Sequence, residues 1–153
     1  MAEDTTGRLD GYDRKIIDAL ARDARLSFSA LAERVGLSKS PVQARVKRLE
    51  KAGYIRAYQA VVDHEKMGRG HIAFVQVKLS DTRSRALQDF NAAVSAIPEI
   101  EQCHMVAAGF DYLLKVRTPD IAAYRRVLGE RISALPNVAQ TSTFVVMETV
   151  KDR

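Results

Sequence analysis

The sequence holds a single cysteine, Cys103, among 153 residues. One thiol can build neither an internal disulfide framework nor a thiolate zinc cluster. Histidine is equally sparse: His64, His71 and His104 stand apart without metal-ligand spacing, so no metal is expected. Long hydrophobic runs are missing, and no stretch approaches the ~18 apolar residues that a membrane span needs. The opening MAEDTTGRLD carries acids and no apolar block, which argues against a secretory signal. Internal repeats and low-complexity tracts are absent. These absences lead to the expectation of a soluble, cytoplasmic chain with no membrane association and no cofactor. What remains is ordinary globular composition, 46% hydrophobic and 28% charged. A chain of this length buries roughly 70% of its unfolded surface, enough for one good core or two small ones.

Net positive charge is also missing from most of the chain. The formal net charge is +5, yet residues 34–58 alone carry seven cations (Arg34, Lys39, Arg45, Lys47, Arg48, Lys51, Arg56) against one acid, Glu50. That segment sums to +6, and the rest of the chain to −1. Such a concentrated excess is the electrostatic footprint of a nucleic-acid contact surface.

The pattern of apolar residues changes near residues 63–70, a polar stretch with two glycines that reads as a linker. Residues 1–62 are therefore expected to form one domain and residues 71–153 another. In the first, Ile16, Ile17 and Leu20 share a face of a helix from Asp10 to Ala24, with Asp13 placed to cap its start. Ser27 or Ser29 opens a second helix with Leu31, Ala32 and Val35 inward. Gly36 can take the left-handed conformation that ends a helix, and Ser38 can cap the third. Pro41 falls in the first turn of that helix, where a missing N–H costs little. Val42, Val46 and Leu49 then form the inner stripe, and Gly53 closes the helix. Tyr54–Val62 is β-prone and predicts a short strand or hairpin. Three helices, a tight glycine turn and a wing make a winged helix-turn-helix pattern.

In the second half, alternation over His71–Leu79 predicts a strand, and Leu87, Phe90, Val94 and Ile97 a helix over Arg83–Ile97. Strands over Ile100–Ala107 and Asp111–Arg117 follow, joined by a turn at Ala108-Gly109-Phe110. Asp120 caps a helix with Ile121, Tyr124, Leu128, Ile132 and Leu135 on one face, and Val138–Val150 is the last strand. The order β-α-β-β-α-β is ferredoxin-like, so the fold class is α+β.

The outer positions of the third helix are hydrogen-bonding or cationic. Arginine pairs with guanine and glutamine with adenine in the major groove, and helix-turn-helix proteins aim the N-terminal end of this helix at base edges. Ser38, Lys39, Ser40 and Gln43 occupy that end. Arg45, Lys47 and Arg48 are expected on phosphates, which set affinity and salt dependence without reading sequence. Arg25, Arg34 and Arg56 are placed to add backbone contacts. Tyr54 and Tyr58 read as packing residues of the wing.

These residues resemble the leucine-responsive/asparagine-regulator family of prokaryotic transcription factors, the feast/famine regulators. In the first half the likeness rests on LDGYDRKIIDAL, LAERVGLSKSPVQARVKRLEKAGYI and AYQAVVD. In the second it rests on GFDYLLKV, DIAAYRRVL and TSTFVVMETVK, all in order over Leu9–Lys151. The resemblance implies a double-stranded DNA partner and a second domain that senses a small amino acid. It also implies sheets that pair into homodimers, which assemble further to octamers. The implied effector site includes Met105, Ala108, Gly109 and Phe110, then Asp111 and Tyr112, with Thr141 and Thr143 nearby. A carboxylate such as Asp111 suits an α-ammonium, and turn N–H groups and hydroxyls suit an α-carboxylate. The family usually carries glycine where this chain has Ala108; a positive φ there would strain the alanine by about 1 kcal/mol or more. SKSP-QARV and EQCHMVAAGFDYLLKVRT look most like activators of proline catabolism, whereas FVVMETVK resembles the global leucine-responsive regulator. Proline is therefore the leading effector and leucine or another aliphatic amino acid the next.

Two other readings compete. An enzyme would need a nucleophile with its base, paired carboxylates or a metal; Cys103 and His104 are strand neighbours pointing to opposite faces and cannot form a dyad. An architectural DNA-binding protein would keep the first domain and use the second only for oligomerisation. Two reading helices of a dimer would lie about one DNA turn, ~34 Å, apart on a pseudo-palindromic operator.

Overall fold

A computed structural model of the chain describes residues 9–152. Residues 1–8, where no secretory signal is expected, lie outside the described residues. The chain divides into two compact units, with the break between Val61 and Val62.

The first unit contains α1 (Gly11–Arg22), α2 (Phe28–Val35) and α3 (Lys39–Lys51). Helix α1 opens with a capping box: Asp10, not Asp13, is the N-cap. Asp10 Oδ1 accepts from the Asp13 N–H, and Asp13 Oδ2 accepts from the Asp10 N–H, so the helix N-terminus satisfies two orphan donors reciprocally. Ser27 caps α2 through the Ala30 N–H. Gly36, at φ 75°, ends α2 in the left-handed conformation and turns the chain into α3. Ile16, Leu31, Val42 and Leu49 are essentially solvent-free where the three helices meet. Each such side chain contributes roughly 1.5–3 kcal/mol by burial.

The strand or hairpin expected over Tyr54–Val62 does not form: no residue from 54 to 70 is in a strand. A strand needs a partner for its N–H and C=O groups, and among the described residues of this unit there is no other strand. Sequence alternation cannot supply one. Residues 56–63 instead run without regular structure and exposed, with Val61 89% accessible. They are tied to α3 by the Tyr58 hydroxyl donating to Glu50 Oε1 at 2.7 Å.

The second unit is β1 (His71–Leu79), α4 (Ser84–Val94), β2 (Ile100–Met105), β3 (Tyr112–Thr118), α5 (Ile121–Val127) and β4 (Val138–Val145). The strands form one antiparallel sheet in the order β2-β3-β1-β4, the ferredoxin-like arrangement. Ala73, Val75 and Val77 of β1 and Tyr112, Leu114 and Val116 of β3 face the core, where Phe90 of α4 and Tyr124 of α5 pack. The opposite sheet face carries Phe74, Gln76, Lys78, Leu113 and Lys115, by strand alternation.

Two expected boundaries shift. Helix α5 passes at Leu128–Ile132 into a π-helical turn closed by the Ser133 N–H on the Leu128 carbonyl. The wide turn shifts the phase of the residues that follow it, and Ile132 and Leu135 are buried; upstream of it Ala123 and Val127 are buried while Ile121, at the start of the helix, is half exposed. Strand β4 ends at Val145, followed by one more bond from the Val146 N–H to the Ile72 carbonyl, and Met147 and Val150 are solvent-exposed.

Candidate functional site

Helix α3 presents four faces. Val42, Val46 and Leu49 point into the core. Ser40, Ala44, Lys47 and Lys51 are exposed and lie opposite that stripe at helical spacing. Lys39 and the half-buried Gln43 flank them on the side of Glu50. Ser38 sits at the N-cap position in extended conformation, but its hydroxyl makes no capping bond, contrary to expectation. Arg25, Arg34 and Arg56 are exposed on the same unit. Ala44, which carries no polar group, shares the outward face; a methyl of this kind can contact a thymine methyl.

Arg45 and Arg48 are not free cations. They occupy the remaining flank of α3, toward α1, and converge on Asp13, whose residue surface is 0% accessible. Arg45 Nη1 donates to Asp13 Oδ1 at 2.8 Å and to Asp10 Oδ2 at 2.6 Å. Arg48 Nη2 donates to both Asp13 oxygens at 2.7 Å. Burial pushes the Asp13 carboxyl up, but hydrogen bonds from Arg48, the Asp10 N–H and Arg45 more than offset it and hold it below its ordinary value. These pairs join α3 to α1, a partner that the expectation of both arginines on phosphates leaves out. Tyr12 adds its ring beneath Arg45 and Lys15, each 5.6 Å from the centroid.

The eight expected effector residues do not line one depression: Met105 to Tyr112 flank the β2–β3 turn, and Thr141 and Thr143 lie on β4. Gly109 and Phe110 line an open depression of about 260 Å³ with Gln76, Lys78, Gln140 and Ser142. Ala108 and Met105 are exposed. Tyr112 instead belongs to the core, 2% accessible, with its ring 4.4 Å from that of Phe90. Thr141 and Thr143 pair with Val77 and Val75 and so share the helix-covered face, opposite the depression. The Thr143 hydroxyl is hydrogen-bonded to that of Tyr124. Gln140 and Ser142, one residue away on the same strand, are the groups that reach the depression. Strand register decides this, and it cannot be read from a motif.

Asp111 has a structural task. Its Oδ2 accepts from the Leu79 N–H at 2.7 Å, and its own N–H donates to the Val77 carbonyl at 2.9 Å. The carboxylate thus pairs a β1 amide at the place where the β1–β4 register shifts. Ala108 is unstrained: among the described residues other than glycine only Asn137 has a positive φ.

Cys103 is half-buried against the core, and burial pushes its thiol up, away from the thiolate. His104 lies on the other side of β2, opposite Leu113. Among the described residues no three His, Cys, Asp or Glu side chains are grouped to hold a metal ion, and no helix is long and apolar enough to cross a membrane.

Comparison with known proteins completes the picture. Residues 9–56 match a winged helix-turn-helix DNA-binding model, and residues 72–153 match the Lrp/AsnC ligand binding domain. The chain is 59% identical to a proline dehydrogenase transcriptional activator of Rhizobium radiobacter, covering 96% of this chain and 94% of that one. It is 45% identical to the leucine-responsive regulatory protein of Salmonella typhimurium, over 94% of this chain and 87% of that one. A transcriptional regulator from Neisseria meningitidis, solved in complex with L-Met, superposes with a TM-score of 0.88 at 32% identity, covering 95% of this chain and 94% of that one. With a DNA-reading helix-turn-helix followed by an amino-acid-binding domain, the chain belongs to the Lrp/AsnC family of transcriptional regulators and is not an enzyme.

Proposed function

We propose that this protein is a cytoplasmic, homo-oligomeric regulator whose response is set by L-proline, with leucine or another aliphatic amino acid as the alternative effector. The observation that carries the effector is the 59% identity, over nearly the whole chain, to a protein named as an activator of proline dehydrogenase. An activator of proline breakdown that senses proline couples substrate supply to enzyme supply.

In this reading the N-terminal end of α3 enters the major groove. Ser40 and Gln43 hydrogen-bond base edges, Ala44 lies against them, and Lys39 and Lys47 meet phosphates. Arg25, Arg34 and Arg56 extend the phosphate track. Dimers place two such helices on one operator, and dimers gather into an octamer.

The effector binds at the β2–β3 turn, with the turn at Gly109 and Phe110 and the polar side chains of Gln76, Gln140 and Ser142 as its wall. An open depression on one chain closes when a second chain covers it. Binding then favours one assembly over another, since a ligand shifts an equilibrium only by differential affinity.

The test is fluorescence anisotropy of the full-length protein on DNA upstream of its own gene and on a random duplex, at two salt concentrations, with and without proline or leucine. Preference for the upstream DNA that shifts with proline supports the reading. A shift with leucine alone reassigns the effector. Tight binding indifferent to both sequence and amino acids favours an architectural role.

A further inference from the structure

We propose that Asp13 is the positioning residue of the reading helix: it fixes α3 against α1 and withdraws Arg45 and Arg48 from contact with DNA phosphates. The inference rests on α3 being the DNA-reading helix, and it concerns residues that the DNA-binding role does not itself explain.

Three features of the geometry carry it. Asp13 lies within α1 but spends its carboxylate on α3: both oxygens accept from Arg48, and Oδ1 also accepts from Arg45. The carboxylate is completely enclosed, while the side chains of Arg45 and Arg48 retain 28% and 44% exposure, so the acid is the fixed point and the arginines are held to it. Asp10 takes a second bond from Arg45, and the four-residue cluster of two acids and two arginines is electrically neutral.

Neutrality has a direct consequence for DNA binding. Counterion release scales with the number of phosphates that protein cations neutralise. An arginine already neutralised by an enclosed carboxylate adds little to that number, because a phosphate would have to displace a partner held in place by the fold. The free cations of α3 are then Lys39, Lys47 and Lys51, and the salt dependence is smaller than the basic composition of the segment implies. What the pairing supplies in return is orientation. A planar guanidinium held by a carboxylate resists rotation of α3 about its own axis, which fixes where Ser40 and Gln43 point.

The experiment compares salt slopes of binding for the full-length wild type, Asp13→Asn, Arg48→Gln and the double variant on a short random duplex and on the upstream DNA. Wild type and Arg48→Gln are expected to share one slope, with Arg48→Gln melting at a lower temperature. Asp13→Asn frees Arg48 and steepens the slope on random DNA by about one per bound subunit. It also lowers the ratio of upstream to random affinity. The double variant returns the slope to the wild-type value, because the released cation is gone. A slope shallower by about one in Arg48→Gln overturns the proposal, since Arg48 would then already sit on a phosphate. An unchanged slope in Asp13→Asn, or a raised slope that persists in the double variant, overturns it as well. If Asp13→Asn does not fold, Arg48→Gln alone decides. A wild type that ignores sequence counts against base reading by Ser40 and Gln43, whereas the slopes on random DNA still test Asp13.

Discussion

Asp111 and Leu79 are joined by a hydrogen bond from the Leu79 N–H to Asp111 Oδ2 at 2.7 Å, so the turn after β2 is fastened to the end of β1 by a side chain. The bond matters because β1 changes register against β4 at Lys78–Leu79, and a buried amide left without a partner costs about 1–3 kcal/mol.

Asp111→Ala is therefore expected to lower the stability of the second unit by about 1–3 kcal/mol, read by urea unfolding. Asp111→Asn keeps an acceptor oxygen and should lose less. An alanine variant as stable as wild type would remove the fastening role and return the carboxylate to effector binding alone.

Acid should loosen the first unit through Asp13. Burial alone would raise this carboxyl, but the bonds from Arg48, the Asp10 N–H and Arg45 hold it below the unfolded value. A folded value below the unfolded one means stability that is fully present above the ordinary carboxylate range and is lost as pH falls through the folded value. Between about pH 6 and about pH 3 the wild type should lose more stability than Asp13→Asn, whose amide does not titrate there. Equal losses in the two proteins would show that other carboxylates carry the acid sensitivity.

Substitutions on the outward face of α3 should separate reading from attraction. Gln43→Ala is expected to weaken binding to the upstream DNA by about 1–3 kcal/mol with little change on random DNA. Lys47→Ala should weaken both alike and make the salt slope shallower by about one. If Gln43→Ala weakens both DNAs equally, Gln43 holds a phosphate and not a base.

The helices, the glycine turn and the βαββαβ order were legible because each has a local cause. Gly36 ends α2, Ser27 and Asp120 accept first-turn N–H groups, and the inner stripes recur at helical spacing. What failed to be legible depends on distant partners. The fate of Arg45 and Arg48 was decided by an acid over thirty residues earlier. The side of the sheet that Thr141 and Thr143 face was decided by pairing with β1, and among the described residues the run after Tyr54 lacks the partner that its β-propensity presumes. A motif locates the β2–β3 turn; register and burial decide that Gln140 and Ser142, not the threonines or Tyr112, stand beside it.

Ala108 offers a clean check on the turn itself. A backbone needing a positive φ at this position would penalise alanine by roughly 1–2 kcal/mol. Here Ala108 is exposed and its φ is not positive, so no such penalty operates. Ala108→Gly should then reduce stability by up to about 1 kcal/mol, because glycine gains freedom only in the unfolded chain. Urea unfolding of the two proteins decides between the signs. A gain of about 1 kcal/mol or more on introducing glycine would mean that the alanine is strained after all, and that the turn adopts another conformation in solution.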